Sequence, residues 1–156
     1  MKPEEINNAN VEVGELMKEV LSDQFVLYVK ARNYHWNVTG PHFLGLHAEF
    51  ENIYDELAED IDKVAERIRT LGQKAPGTMK EFWELSTLEE KPDDHPGYLE
   101  MVQTIVNDFE TIIEKLKSAS HKMQSTLNDE VSAGIFNGLV EKYQKTIWML
   151  KSFLEK

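Results

Sequence analysis

The chain contains no cysteine, which removes disulfides, thiolate metal sites and thiol catalysis at once. Any metal must therefore be held by His, Asp and Glu, a donor set that suits iron, manganese or zinc better than copper(I) or a cluster. Long apolar runs are also missing: nothing approaches the roughly 20 residues a membrane span requires. The N-terminal stretch MKPEEINNAN has no apolar core behind its single lysine, so it does not read as a secretory signal, and the expected address is the cytoplasm. Positive charge is scarce relative to negative, with a formal net charge of −11, which argues against a nucleic-acid binder that works by neutralising phosphates. The same surplus of carboxylates would attract cations, although acidic solubility charge explains it equally well.

What is present reads as one all-α domain over residues 1–156. Apolar residues recur at helical spacing almost throughout, and no alternating strand pattern occurs. A first helix is expected from near Glu5 to near Val38, with Val13, Leu16, Val20, Leu27 and Ala31 on its apolar face. Thr39-Gly40-Pro41 ends it, because proline disfavours helical geometry in the residue before it. A second helix is expected from about Pro41 to Leu71, its stripe running from Phe43 through Phe50, Leu57 and Val64 to Ile68, with Gly72 as the stop. A third spans about Pro96 to Met123 (Leu99, Val102, Ile105, Phe109, Ile112, Leu116), and a fourth follows Asn128 (Val131, Ile135, Leu139, Tyr143, Ile147).

The second and third helices are joined by the segment Gln73–His95, well beyond the roughly 2–8 residues usual in bundles. It holds a short helical candidate, Met79 to Leu85, and a Pro-Asp-Asp-His-Pro break. Four long helices with one long crossover is the ferritin-like four-helix bundle topology.

On a wheel of the second helix starting at His47, Glu51 falls near about 40°, Asp62 near about 60° and Glu66 near about 100°. These four metal-competent side chains share one face beside the apolar stripe, where a solvated flank of i,i+4 pairs is the plain alternative. Along the axis His47 and Asp62 are roughly 22 Å apart, too far to share an ion. The four positions are, however, symmetric about a point between Glu56 and Leu57. Packed antiparallel on a copy of itself, the helix would set His47 against Glu66 of the partner subunit, and Glu51 against Asp62 of the partner subunit. A two-fold contact is self-complementary in this way. Ala58 and Ala65 near the same face would let the helices approach closely. His35, at the end of the first helix, is a fifth candidate because the turn brings it towards His47; a packed core histidine is the alternative. His42, His95 and His121 are not expected to bind metal.

These residues resemble a known family. His35-Trp36-Asn37-Val38-Thr39-Gly40, Phe43, Leu46-His47, Phe50-Glu51, Tyr54, Asp62 and Ala65-Glu66-Arg67-Ile68 are similar to the Dps mini-ferritins (DNA-binding proteins from starved cells). The ending Ile147-Trp148-Met149-Leu150-Lys151 and the helix pattern extend the likeness over nearly the whole chain. The Glu-x-x-His pair of classical di-iron bundles occurs nowhere in the sequence.

The resemblance implies a hollow homo-dodecamer with ferroxidase centres at two-fold interfaces. It assigns His35 and His47 of one subunit, with Asp62 and Glu66 of the partner subunit, as iron ligands. Glu51 stands where the family often has aspartate, as a direct or water-mediated ligand. The implied reaction is oxidation of Fe(II), preferably by hydrogen peroxide and otherwise by oxygen, followed by storage of ferric mineral; zinc is a possible substitute metal. Tyr34 and Trp36, flanking His35, are expected as electron donors that limit radical escape, with simple packing as the alternative. Acidic residues near the start of the last helix line the family's iron-entry pores, and Asp129 and Glu130 are the candidates here; helix capping accounts for them too. DNA binding in the family depends on a lysine-rich tail, and residues 1–12 carry one lysine and three glutamates. A DNA-compacting role is therefore disfavoured, and a non-catalytic metal-binding shell is the other alternative.

Overall fold

The computed structural model describes residues 1–155 and is helical, with α1 (Pro3–Asn37), α2 (Phe43–Thr70), α3 (Met79–Leu85), α4 (Tyr98–Ser125) and α5 (Glu130–Leu154). Among the described residues there is no strand, and no helix is long and apolar enough to cross a membrane. Helix α1 packs along α2 and α4 packs along α5; the two pairs meet through α1 against α4 and α2 against α5, and α3 packs on α1. This is the expected four-helix bundle with a helix-bearing crossover.

Local chemistry sets the boundaries. Pro3 opens α1, where a missing N–H costs nothing, and the Glu5 carboxylate accepts the Lys2 backbone N–H at 2.8 Å. Helix α2 starts two residues later than the spacing suggests, because Gly40 takes φ +110° and the Phe43 N–H turns back to the Gly40 carbonyl. Its far end closes as expected: Gly72 adopts φ +85°, and the Gln73 N–H reaches back to the Ile68 carbonyl at 3.3 Å. The short helix occupies the anticipated Met79–Leu85, capped by Thr78, whose hydroxyl accepts the Glu81 N–H and donates to the Glu81 carboxylate.

The core runs the length of the bundle, with Phe50, Leu57, Phe109, Leu116, Phe136 and Tyr143 among its fully buried side chains. Each such side chain contributes about 1.5–3 kcal/mol on leaving water. Three residues assigned to apolar stripes are instead exposed, Phe43 at 37%, Leu99 at 52% and Val131 at 62%. All three lie in the first turn of their helices; Met101 and Val102 take up the α4 stripe.

Buried polar residues staple the bundle. Asp23, wholly buried on α1, accepts the Ser86 hydroxyl at 2.7 Å, the Thr87 N–H at 2.8 Å and the Lys115 ammonium at 2.5 Å. One carboxylate thus holds α1, α4 and the crossover together. Deeper in the core, Tyr143 donates to Asp60 at 2.9 Å and accepts from Gln24 at 2.8 Å, linking α5 to α2 and α1. Burial, and then the Asp60 charge, push the Tyr143 phenol well above its ordinary value.

Candidate metal centre

Five residues separate α1 from α2, so the last turn of one helix lies beside the first turns of the other. That hairpin brings His35 and His47 into contact: their rings stack 3.7 Å apart at 16°. Each imidazole is tied to the other's backbone. His35 Nδ1 lies 2.7 Å from the His47 carbonyl oxygen, and His47 Nδ1 lies 2.7 Å from the His35 carbonyl oxygen. A carbonyl only accepts, so both Nδ1 atoms carry the hydrogen and both Nε2 lone pairs remain for a metal. Such second contacts fix tautomer and ring orientation before any ion arrives.

His35 is buried and His47 half-buried, whereas Glu51, Asp62 and Glu66 are exposed on α2. Among the described residues of one chain, no group of three or more His, Asp or Glu side chains comes close enough to hold an ion. The structure therefore brings the two histidines together and leaves the three carboxylates apart from them. Ala58 and Ala65, between the carboxylates, are half-buried.

The flanking aromatics sort differently from their order in the sequence. Tyr34 turns inward, 5.8 Å from Phe50 between ring centroids, and lines a cavity of about 670 Å³ with Lys30 and Asp108. Burial raises its phenol. Trp36 is 63% exposed and lies 6.0 Å from the Arg32 guanidinium carbon. The tyrosine that touches the histidine pair is Tyr54, edge-on to His35 at 5.3 Å, while Phe43 stacks on His47 at 5.1 Å. Arg32 covers the Tyr54 ring at 4.2 Å and donates to the Tyr28 hydroxyl at 2.8 Å. Burial, followed by the Glu51 charge, moves the Tyr54 phenol upward. Tyr54 was legible: two turns after His47, it returns to within about 20° of it on the wheel. Arg32 was legible only in part: Tyr28 and Trp36 lie four residues to either side of it on α1, but Tyr54 comes from another helix.

At the start of α5, Asp129 is the N-cap. Its carboxylate accepts the Ser132 N–H at 2.8 Å and the Ser132 hydroxyl at 2.6 Å, and pairs with Arg67 at 3.2 Å. Burial alone would raise this carboxyl, but the two Ser132 bonds and the Arg67 guanidinium together hold it below its ordinary value. Glu130, beside it, is exposed.

An all-helical bundle with one long crossover and a paired-imidazole site on its first hairpin defines a protein of the ferritin-like class, and the family model for the ferritin-like domain matches residues 14–156. The chain is 36% identical to DNA protection during starvation protein 2 of Bacillus anthracis, over 94% of this chain and 99% of that one. It superposes with a TM-score of 0.90 on the crystal structure of a Dps protein from Bacillus brevis, at 34% identity, covering 99% of this chain and 100% of that one. The Dps protein of Vibrio cholerae, described as a member of a broad superfamily of ferritin-like diiron-carboxylate proteins, gives a TM-score of 0.90 at 27% identity, covering 96% of this chain and 92% of that one. The chain belongs to the Dps family of mini-ferritins.

Proposed function

We propose that this protein oxidises Fe(II) and stores the ferric product inside a hollow homo-dodecamer, protecting the cell during starvation and oxidative stress. The observation that carries this reading is the His35–His47 pair, pre-set in one tautomer with both Nε2 atoms available, while the described residues of one chain bring together no group of three His, Asp or Glu side chains. The missing donors are Asp62 of the partner subunit and Glu66 of the partner subunit, presented when two α2 helices pack antiparallel about Glu56 and Leu57. Glu51 completes the acidic side of the site, directly or through water.

Iron enters as substrate. The imidazoles take Fe(II), and the carboxylates, harder donors, favour Fe(III) and so pull the couple towards oxidation. With hydrogen peroxide, two Fe(II) give up two electrons, and the peroxide with two protons becomes two waters. Oxygen serves as a slower oxidant, and zinc fits the same donors without turnover. Protection then follows from removing Fe(II) and peroxide together, with no need for contact with DNA.

The test is complementation. Asp62→Ala and His47→Ala assemblies should each lose most iron oxidation, read as ferric absorbance after peroxide is added to anaerobic Fe(II). In a mixed dimer one site loses both residues and the other stays intact, so co-assembly should recover part of the rate. Mass spectrometry must first confirm mixed dimers; confirmed mixed dimers as inactive as their parents would overturn the shared site. Light scattering should give the mass of a dodecamer, and a stable monomer would sink the shell.

A further inference from the structure

We propose that the cavity between α1, α4 and the crossover binds an aliphatic diamine or polyamine, with Asp108 as the buried anion that receives one ammonium group. The site stands apart from the ferroxidase reading and uses none of the candidate metal ligands.

The cavity is preformed. Its volume of about 670 Å³ lies in the usual range of small-ligand sites. The crossover strap that walls it is fixed at two points: the Thr87 N–H is held by Asp23 at 2.8 Å, and the Glu89 carbonyl accepts from Lys30 at 2.8 Å. Further along, the Asp94 N–H turns back to the Lys91 carbonyl, and Pro92 and Pro96 restrict the backbone on either side. The α1 wall also turns away from the face packed on a second subunit. Lys30 and Asn33 lie about 140° and about 160° around α1 from His35.

At the floor, charges are buried and incompletely matched. The Lys30 side chain is 10% exposed and that of Asp108 14%. Lys30 bonds Asp108 Oδ2 at 2.5 Å, while Asp108 Oδ1 accepts from no described residue. Burial raises the Asp108 carboxyl and Lys30 does not bring it back, with Asp23 and Glu89 acting on the side of burial. A carboxylate left short of positive charge in this way is stabilised by a further cation.

The lining then selects the kind of cation. Asp108, Glu89, Glu90, Asp94 and Glu100 face two lysines, Lys30 and Lys91, across the cavity. A cleft with such an excess of one sign, walled by low-dielectric side chains, concentrates the opposite charge. Spacing disfavours a bare metal ion, because Mg²⁺ or Ca²⁺ needs several oxygens converging at about 2.0–2.6 Å. Among the described residues no three His, Asp or Glu side chains come close enough to hold an ion. A diamine carries its charges at the two ends of an aliphatic chain, so separated carboxylates suit it. One ammonium donates to Asp108 Oδ1, the methylenes lie along Val29 and Leu88, and the other ammonium meets Glu100 at the rim.

The experiment is calorimetric titration of the assembled, metal-free protein with putrescine and with spermidine at physiological salt. Both should bind saturably, one molecule per chain, whereas the diol of putrescine's length and Mg²⁺ should not. Asp108→Asn, which keeps the side-chain shape, should weaken putrescine by about tenfold. Glu100→Gln should weaken it less, and Glu15→Gln, at the other end of α1, should leave it unchanged. Amide hydrogen exchange across residues 87–96 should slow when putrescine binds. Equal affinity for the diol, or wild-type affinity in folded Asp108→Asn, would overturn the proposal. Equal weakening by Glu15→Gln would do so too, by revealing diffuse attraction to an acidic shell. Should Asp108→Asn fail to fold, Glu100→Gln decides: weaker binding with protection of 87–96 upholds the site, and wild-type affinity without protection overturns it.

Discussion

The imidazole of His47 donates to the carbonyl oxygen of His35 at 2.7 Å, and His35 returns the bond to the carbonyl of His47 at the same distance. The His35 carbonyl is one of the last four of α1, a set with no partners inside its own helix. His47 therefore caps the helix that carries the other histidine, and the site and the hairpin stabilise one another. Metal-free His47→Ala should lose about 1 kcal/mol of stability, the worth of one such hydrogen bond. Thermal unfolding in chelator checks this; an unchanged midpoint would show that the pair matters only when metal is bound.

Asp23→Ala should be among the most destabilising single changes in the chain. It strips three partners from a wholly buried carboxylate and leaves the Lys115 ammonium unpaired. A loss of about 3 kcal/mol is expected for breaking such a pair. Because Ser86 and Thr87 lose their anchor, limited proteolysis should cut first within residues 86–96. Cleavage elsewhere at wild-type rate would contradict the assignment.

The Asp129 cap makes stability depend on acid pH. Its folded pKa lies below the ordinary carboxylate value, through the Ser132 bonds and Arg67 acting against burial. The resulting stabilisation is fully present above the unfolded pKa and is lost as pH falls through the folded one. Asp129→Asn should therefore flatten the acid limb of a urea-midpoint profile below the usual carboxylate range. A parallel acid limb in wild type and variant would place the titration elsewhere.

At neutral pH and physiological salt the protein should leave plasmid unshifted in a gel. A chain of net charge −11, with one lysine in residues 1–12, releases few counterions on meeting phosphate. A clear shift without added divalent cations would refute this.

Periodicity and punctuation alone determined a great deal. Apolar spacing marked the four long helices, Gly72 and Pro41 marked two of their limits, and the short crossover helix fell at the expected Met79–Leu85. These are short-range effects, settled by backbone geometry within a few residues. The shared face of His47, Glu51, Asp62 and Glu66 is likewise a property of one helix and needs no neighbour. Tertiary structure decided what lies across each face. It buried Asp23 and Asp60 among partners from other elements, left Leu99 and Val131 exposed on the single chain, and set Tyr54 rather than Tyr34 against His35. It also chose the imidazole tautomers, because the carbonyls that fix them sit 12 residues away across the hairpin. Helical spacing specifies a direction around an axis, but not the distance to the next element in that direction. Contact, burial and protonation depend on that distance, so they emerged only once the helices were packed.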